Sequence, residues 1–341
     1  MVAASSRELA RLGLSGDAIA AISKPDEKKL ESDLKWLSRP NHHLLCWDDE
    51  SYPALLKRIS SPPAALFIDG DPGCLWQPQI AIIGSRNPTA GGLEHARDFS
   101  TTLARQGMTI TSGLASGIDT AAHAAALDTG ALTIAVNGTG LDQVYPGSSQ
   151  AVAGRIRLQG AMISELPLGA PPLRQHFPSR NRIISGLSLA VLVIEAGLNS
   201  GTLITARKAA EQGREVFALP GSLHNPMAKG CHRLIREGAR LVETTADIMQ
   251  ELGPVATELQ MEIRQRLEQD DGDDHPDAAS TDLLNDADYN ALWKVLSYDP
   301  KPLDIIIEQT GLSAREVSSM LLMMELKGLI NKYDNGGYLR I

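Results

Sequence analysis

The chain has 341 residues, is 43% hydrophobic and carries a formal net charge of −9, enough length to bury a sizeable core and more than one domain. Its three cysteines, Cys46, Cys74 and Cys231, have no metal-ligand spacing and cannot all pair, which fits a reduced cytoplasmic setting. No apolar run approaches about 18 residues and no apolar export segment opens the sequence, so neither a membrane span nor secretion is expected.

Residues 1–77 read as a small helical module with 9 basic and 11 acidic groups. DEKKLESDLKWLSR predicts a helix with Leu30, Leu34 and Leu37 on one face, closed by Pro40. WDDESYPALLKRI predicts a second, short helix, and PPAALFIDGD a strand running into a DG turn.

Residues 78–252 alternate strand and helix. IAIIG (80–84), MTITSG (108–113), LTIAVNG (132–138), AMISE (161–165), LAVLVIEA (189–196) and EVFALPG (215–221) are strand-like, with amphipathic stretches at 93–106, 118–128 and 202–212 between them. RLIREGARLVE adds a last helix and strand. Continuous apolar strands separated by helices predict an α/β fold, a mostly parallel sheet covered on both faces.

Residues 253–285 contain DDGDDHPDAAS and read as an acidic, solvated linker. Residues 248–287 hold 11 acidic and 2 basic groups, whereas 78–247 hold 12 acidic and 15 basic. The global acidity is therefore local, and the centre is mildly basic. Residues 286–341 give three helical patterns, YNALWKVLS, LDIIIEQTGL and SAREVSSMLLMMELKGLI, then two short strands about a DNGG turn. That order predicts a winged helix with Thr310 and Gly311 at its corner. Its expected recognition helix sets Arg315 and Lys327 against Glu316 and Glu325, a weak phosphate footprint. Met320, Met323 and Met324 are either core or an adaptable protein-contact face, so packing or protein contact is favoured over duplex reading.

In an open parallel sheet, ligands bind beyond the carboxyl ends of the strands. Here those ends carry glycine: GSRNPTAGG (84–92), SGLASGID (112–119), NGTGLD (137–142), GLNSGT (197–202) and PGS (220–222). Glycine lets backbone N–H groups approach an anion, and Gly84, Ser85 and Arg86 form a candidate phosphate-binding trio. Ser112, Gly113 and Gly138 stand at two further strand ends. Tight turns without a ligand explain any single such glycine equally well. Gly84 and Gly91-Gly92 do not make GxGxxG, and GxxxxGK[ST] is absent, so neither a dinucleotide nor a P-loop ATPase is indicated. No cofactor is expected, although a mononucleotide pocket stays open.

Asp119 and His123 stand four apart on one predicted helix near Ser112 and Ser116, a weak hydrolytic signal. Asp119 orienting its loop and His123 packing in the core are the plainer explanations. Glu165 and Glu195 end strands and can pair with Arg180 or Arg182. Between these two glutamates lie 29 residues with three arginines, one histidine and no carboxylate. Arg174, Arg180 and Arg182, helped by Arg86, can supply phosphate contacts, with Phe177 and Asn181 among them to meet an unpaired base. The bland alternative is that Arg180, Asn181 and Arg182 brace the fold through Glu195 and loop carbonyls.

GSRNPT (84–89), SGLASGIDTAAHAAAL (112–127), VNGTGLDQVYP (136–146), ISELPLG (163–169), FPSRNRIISGLS (177–188), VLVIEAGLNSGTLITARKAAEQGREVFALPG (191–221) and GCHRLIREGA (230–239) together closely resemble the bacterial DNA-processing protein A family, DprA, also called Smf. The resemblance implies an extended Rossmann-like domain between an N-terminal helical, SAM-like domain and a C-terminal winged helix. It implies a non-enzymatic role: binding single-stranded DNA, protecting incoming strands in natural transformation, and helping to load RecA onto strands coated by single-strand-binding protein. It also implies homodimers formed through the Rossmann-like domain. The family's phosphate-binding arginine falls on Arg86, and its FPxRNR motif on Phe177, Pro178, Arg180, Asn181 and Arg182. A basic residue used just before that motif has Arg174 as its nearest match. Two departures stand out: Ser179 where many relatives have arginine, and Ser149 where relatives often have asparagine. The other function classes open to this chain are a nucleotide- or phosphoribosyl-processing enzyme using the same crevice, with Glu165 or Asp119 as acid–base, and a winged-helix adaptor.

Overall fold

The computed structural model describes residues 5–252, 287–297, 301–312, 317, 320, 321, 324, 330–332 and 337–340. They fall into two compact units that divide between Met261 and Glu262.

The larger unit opens with three helices, α1 (Ser6–Arg11), α2 (Gly16–Ser23) and α3 (Glu27–Leu37). Side-chain caps start them: Ser5 and Glu8 form a reciprocal capping box, and Asp26 accepts the amides of Lys28 and Lys29. The chain continues through β1 (His42–Cys46), α4 (Ala54–Lys57), β2 (Ala65–Gly70), β3 (Gln79–Ile83), α5 (Ala90–Arg105), β4 (Thr109–Ser112), α6 (Ile118–Asp128) and β5 (Thr133–Val136). It closes with α7 (Gln150–Gln159), β6 (Ala161–Ser164), α8 (His176–Leu187), β7 (Ala190–Val193), α9 (Thr202–Glu211), β8 (Glu215–Ala218), α10 (Lys229–Arg236) and β9 (Arg240–Leu241).

These strands make one nine-stranded sheet in the order β1-β2-β6-β5-β4-β3-β7-β8-β9. Everything from β6 to β9 pairs in parallel, while β2 on β6 and β1 on β2 are antiparallel. The side chains alternate between two cores, as the pleat requires. Ile134, Val136, Ile163, Leu66 and Ile68 enter one core with Leu56, Val191 and Val193. Ala135, Met162 and Phe67 enter the other with Trp36, Leu114, Leu127 and Ile156. Helices on both faces explain the unbroken apolar strands seen in the sequence.

The strand expected in PPAALFIDGD is β2, and with β1, which was not expected, it joins the central sheet, where Leu66, Phe67 and Ile68 are core residues on both faces. PPAALFIDGD has the period of a strand but nothing local that says which sheet it joins. On α3 the leucine face is buried only at its end, where Leu37 packs against the second core. Leu30 and Leu34 are exposed, and Trp36 is buried at 5% exposure against Phe67 and His42.

Asp69 on β2 accepts a hydrogen bond from Arg157 Nε of α7 at 2.6 Å and lies 3.4 Å from His42 Nε2 of β1, so one carboxylate joins the antiparallel edge to the parallel sheet. The chain runs β3 to β6 toward one side, then returns to place β7 on the opposite side of β3. The carboxyl ends of β3 and β7 are therefore the topological switch point, where such sheets open a crevice.

The smaller unit contains α11 (Ala287–Val295), α12 (Leu303–Thr310) and a three-stranded sheet, β10 (Lys301–Pro302), β12 (Gly337–Arg340) and β11 (Ile330–Lys332) in that order. Gly311 ends α12 in the left-handed conformation, φ 71°, as expected of the corner. Of the third predicted helix, Val317, Met320, Leu321 and Met324 are described, and all four are buried with Leu292, Ile306 and Ile330. Met320 and Met324 are therefore core. Met323, Arg315, Lys327 and the acidic linker 253–285 lie outside the described residues.

Asp69→Ala should destabilise the larger unit by about 1–3 kcal/mol, the cost of leaving partly buried donors without an acceptor. Thermal melting checks this, with a fall of about 2–4 °C for each kcal/mol in a unit of this size.

Candidate functional site

FPSRNR lies in the first turns of α8, and helical spacing sends its side chains apart. Phe177 and Arg180 point at the strand ends. Arg180 is 6% exposed. Its Nη1 donates to Gly113 O after β4 at 2.7 Å and also to Val136 O at the end of β5, and its Nε donates to Asn181 Oδ1 at 3.2 Å. Arg182 faces elsewhere, forming an ion pair with Glu165 beyond β6. Arg174 is exposed in the segment before α8.

Burial lowers the pKa of Arg180 to about 10, with Asp119 opposing the shift and Arg86 adding to it. The group stays cationic at neutral pH. Asp119, buried on α6, accepts the amides of Gly113 at 3.2 Å and Ala115 at 3.4 Å. Desolvation raises its pKa, against the pull of Arg180. Its place is that of a loop-orienting carboxylate.

At three of the strand ends the glycine is required by close packing. A Cβ on Gly113 would sit 2.5 Å from Arg180 Nη1, one on Gly138 3.0 Å from Phe177 Cδ1, and one on Gly84 2.6 Å from Ile118 Cγ1. The space these glycines leave is filled by the protein's own side chains. Ser112 is also spoken for, being fully buried and donating to Ile82 O at 2.6 Å. Ser85 Oγ accepts from Asn87 N at 3.1 Å and donates to Met227 Sδ at 3.5 Å.

What remains open is a cleft of about 570 Å³ at the switch point, lined by Gly84, Ser85, Arg86, Phe177, Arg180 and Asn181 on one side and residues 197–205 on the other. Arg86 is exposed at its mouth. Its guanidinium carbon is 5.7 Å from the Phe177 ring centre, and that of Arg180 is 6.0 Å from the same ring. Tyr145, 46% exposed, leans on Phe177 with ring centres 5.7 Å apart. A smaller pocket of about 100 Å³ joins Tyr145, Pro146 and Ser116 to the same three side chains. Tyr145 stands in the sequence only as part of the motif VNGTGLDQVYP and was not expected in the site. The cleft thus offers two aromatic rings, an accessible guanidinium and a second, fixed one. Two cations repelling each other beside open space favour an anion there.

The hydrolytic signal disperses. His123 is fully buried, with Nδ1 2.7 Å from Thr133 Oγ1, whose own proton goes to Ile110 O. Nδ1–H is therefore the donor, and Nε2 has no partner among the described residues. Burial pushes its pKa down to about 3. Glu195 is held by Thr89 N at 2.9 Å, Thr89 Oγ1 at 2.7 Å and Asn225 Nδ2 at 3.2 Å, so it does not pair with the arginines. Ser149, a departure from the family pattern, is buried and donates to Leu114 O at 3.1 Å, bracing the β4–α6 loop. Ser179 is exposed and bonds Gln175 O within its helix. Among the described residues no three His, Cys, Asp or Glu side chains gather as metal ligands would, and no helix is long and apolar enough to cross a membrane.

Residues 43–253 match the family model described as DNA recombination-mediator protein A, and residues 274–336 match a DprA winged helix domain. Protein Smf of Escherichia coli is 43% identical over 316 residues, covering 92% of this chain and 81% of its own length. The X-ray structure of DNA processing protein A from Streptococcus pneumoniae superposes with a TM-score of 0.67 at 38% identity, covering 73% of this chain and 87% of that one. DNA processing protein A from Helicobacter pylori, solved for its single-stranded DNA binding mode, gives a TM-score of 0.57 at 30% identity, covering 62% and 95%.

His123 ties stability to pH. Its folded pKa of about 3 lies below the ordinary 6.5, so the unfolded chain takes up a proton first. Its contribution is complete above pH 6.5 and is lost as pH falls toward 3. Denaturant titrations from neutral to acid pH should show His123→Gln losing stability less steeply than the parent, by up to about 1.4 kcal/mol per pH unit.

Proposed function

The chain belongs to the DNA recombination-mediator protein A family, and from that premise we propose that its strand-end cleft binds single-stranded DNA. The observation that carries the reading is Phe177, half-buried beside Gly138 with the guanidiniums of Arg86 and Arg180 near its ring and Tyr145 alongside. Unpaired bases stack on such rings whatever their identity, while arginine forks take the phosphates between them. In a duplex those faces are already stacked, so the cleft selects single strands. Arg86, at the mouth, is the phosphate contact. Arg180 contributes charge from a fixed, buried position, and Gly84, Ser85, Gly113 and Gly138 shape the wall. Asn181 lines the cleft within reach of a base edge. Ser112 and Arg182 act indirectly, through Ile82 O and Glu165, and Arg174 is a peripheral contact.

We extend the reading to recombination mediation: holding incoming strands in natural transformation and helping RecA onto strands carrying single-strand-binding protein, as a homodimer in the cytoplasm. Family membership supports this part. A binding role without turnover also fits the carboxylates, since Glu165 is engaged by Arg182 and Asp119 by two loop amides.

Anisotropy titrations with labelled oligonucleotides test the cleft. Single strands should bind and duplex of equal length should bind far more weakly. Phe177→Ala should cost about 1–3 kcal/mol, the worth of one stacked base. Arg86→Ala should lower the slope of log affinity against log salt by about 0.7. Equal binding of both DNA forms, or an unchanged Arg86→Ala, refutes the assignment.

A further inference from the structure

A second concave surface of the larger unit is also lined by loops at the carboxyl ends of its strands. It is a groove of about 440 Å³ between α3 and the loops that follow β5 and β6, reaching Asp142 and Gly169. Lys28 and Lys35 line it from α3, and Arg39 from just past the helix end. Their spacing of seven and then four residues puts them in one stripe. All three are exposed, and among the described residues none forms an ion pair, whereas neighbouring Lys29 is 3.9 Å from Asp26. The two carboxylates of the lining are engaged by backbone: Asp142 accepts Gly169 N at 2.9 Å, and Asp33 accepts the amide of Leu168. With Lys28, Lys29, Lys35 and Arg39 against these two carboxylates, the lining carries a net positive charge.

Its position connects it to the cleft. Asp142 in the groove is three residues from Tyr145 in the cleft, and three residues of chain reach at most about 11 Å. Gly169 in the groove begins the segment that carries Arg174 and leads into Phe177. Those two loops are fastened to each other, Gly140 N donating to Ala170 O at 3.0 Å.

We propose that Lys28, Lys35 and Arg39 form a second phosphate-binding track, which takes the backbone of the same single strand after it leaves the Phe177 cleft. This rests on the cleft being the primary single-strand site. The track has no exposed ring at its centre, since Trp36 is buried. It therefore holds phosphates without stacking bases, and its contribution depends on strand length and on salt.

The experiment compares oligonucleotides of about 4 and about 20 nucleotides, a range spanning known single-strand site sizes, on the full chain and on two variants. In Lys28→Gln/Lys35→Gln/Arg39→Gln, affinity for the long strand should fall at least tenfold at low salt. The salt slope should drop by about 2, three phosphates at about 0.7 each. Short-strand affinity should stay as it was. Arg86→Ala should weaken both lengths. Long-strand binding unchanged in the triple variant overturns the track and leaves the cleft standing, whereas a parent chain that binds neither length overturns the cleft itself. A poly-glutamate peptide that binds the parent but not the triple variant, with oligonucleotide affinities equal in both, assigns the groove to an acidic protein partner and also overturns the track. The variant's melting temperature should match the parent's, because the three side chains are exposed.

Discussion

The site depends on one buried cation. A guanidinium carried into the interior costs several kcal/mol unless its donors and its charge are met. Arg180 meets both requirements with the carbonyls of Gly113 and Val136, the Asn181 amide oxygen and the nearby Asp119. The arrangement fixes the ends of β4 and β5 to α8. It demands glycine at 113, where any side chain would occupy the guanidinium's place, and it sets Phe177, less than one turn earlier on α8, against Gly138. Lysine could not reproduce the set, because arginine bonds from two separated nitrogens, Nη1 to both carbonyls and Nε to Asn181, where lysine has a single ammonium.

The two arginines near Phe177 consequently divide the work. Arg180 is rigid and lends charge without being free to move. Arg86 is exposed and adaptable, so it can follow a phosphate. Arg86 helps to lower the pKa of Arg180, and that repulsion is relieved when an anion enters. Such a cleft binds through preorganisation, with most of the ordering cost met when the chain folds.

Much of this was legible in the sequence. The alternation of apolar strands and helices, a crevice at the strand ends, the winged-helix order and the arginines of FPSRNR could all be read there, while the strand order that sets the switch point could not. The direction of each arginine could not. Arg180 and Arg182 are two residues apart on what proves to be a helix, so one is sealed beneath the strand ends and the other is drawn to Glu165. Linear spacing shows the charge of a window but not its faces. What lies beside a strand-end glycine was not legible for a related reason, since a missing Cβ looks the same whether an anion or a neighbouring side chain fills the space. Leu30 and Leu34 make an apolar stripe on α3 that the fold leaves exposed, because Trp36 offers more area to bury and has Phe67 and His42 to meet.

The placement of β2 decides whether the amino-terminal helices can matter to the site. An independent, tethered module would present Lys28, Lys35 and Arg39 at an effective concentration set by its linker. Here the connection is rigid. Trp36 stacks on His42 with ring centres 3.9 Å apart, His42 approaches Asp69, and Asp69 holds Arg157 of α7. β2 pairs along β6, covering an edge that would otherwise invite association. A strand bridging cleft and groove would therefore meet two surfaces already held in register, and the second contact would come without the entropy of assembling it. That constraint makes the antiparallel edge part of the binding architecture as well as part of the core.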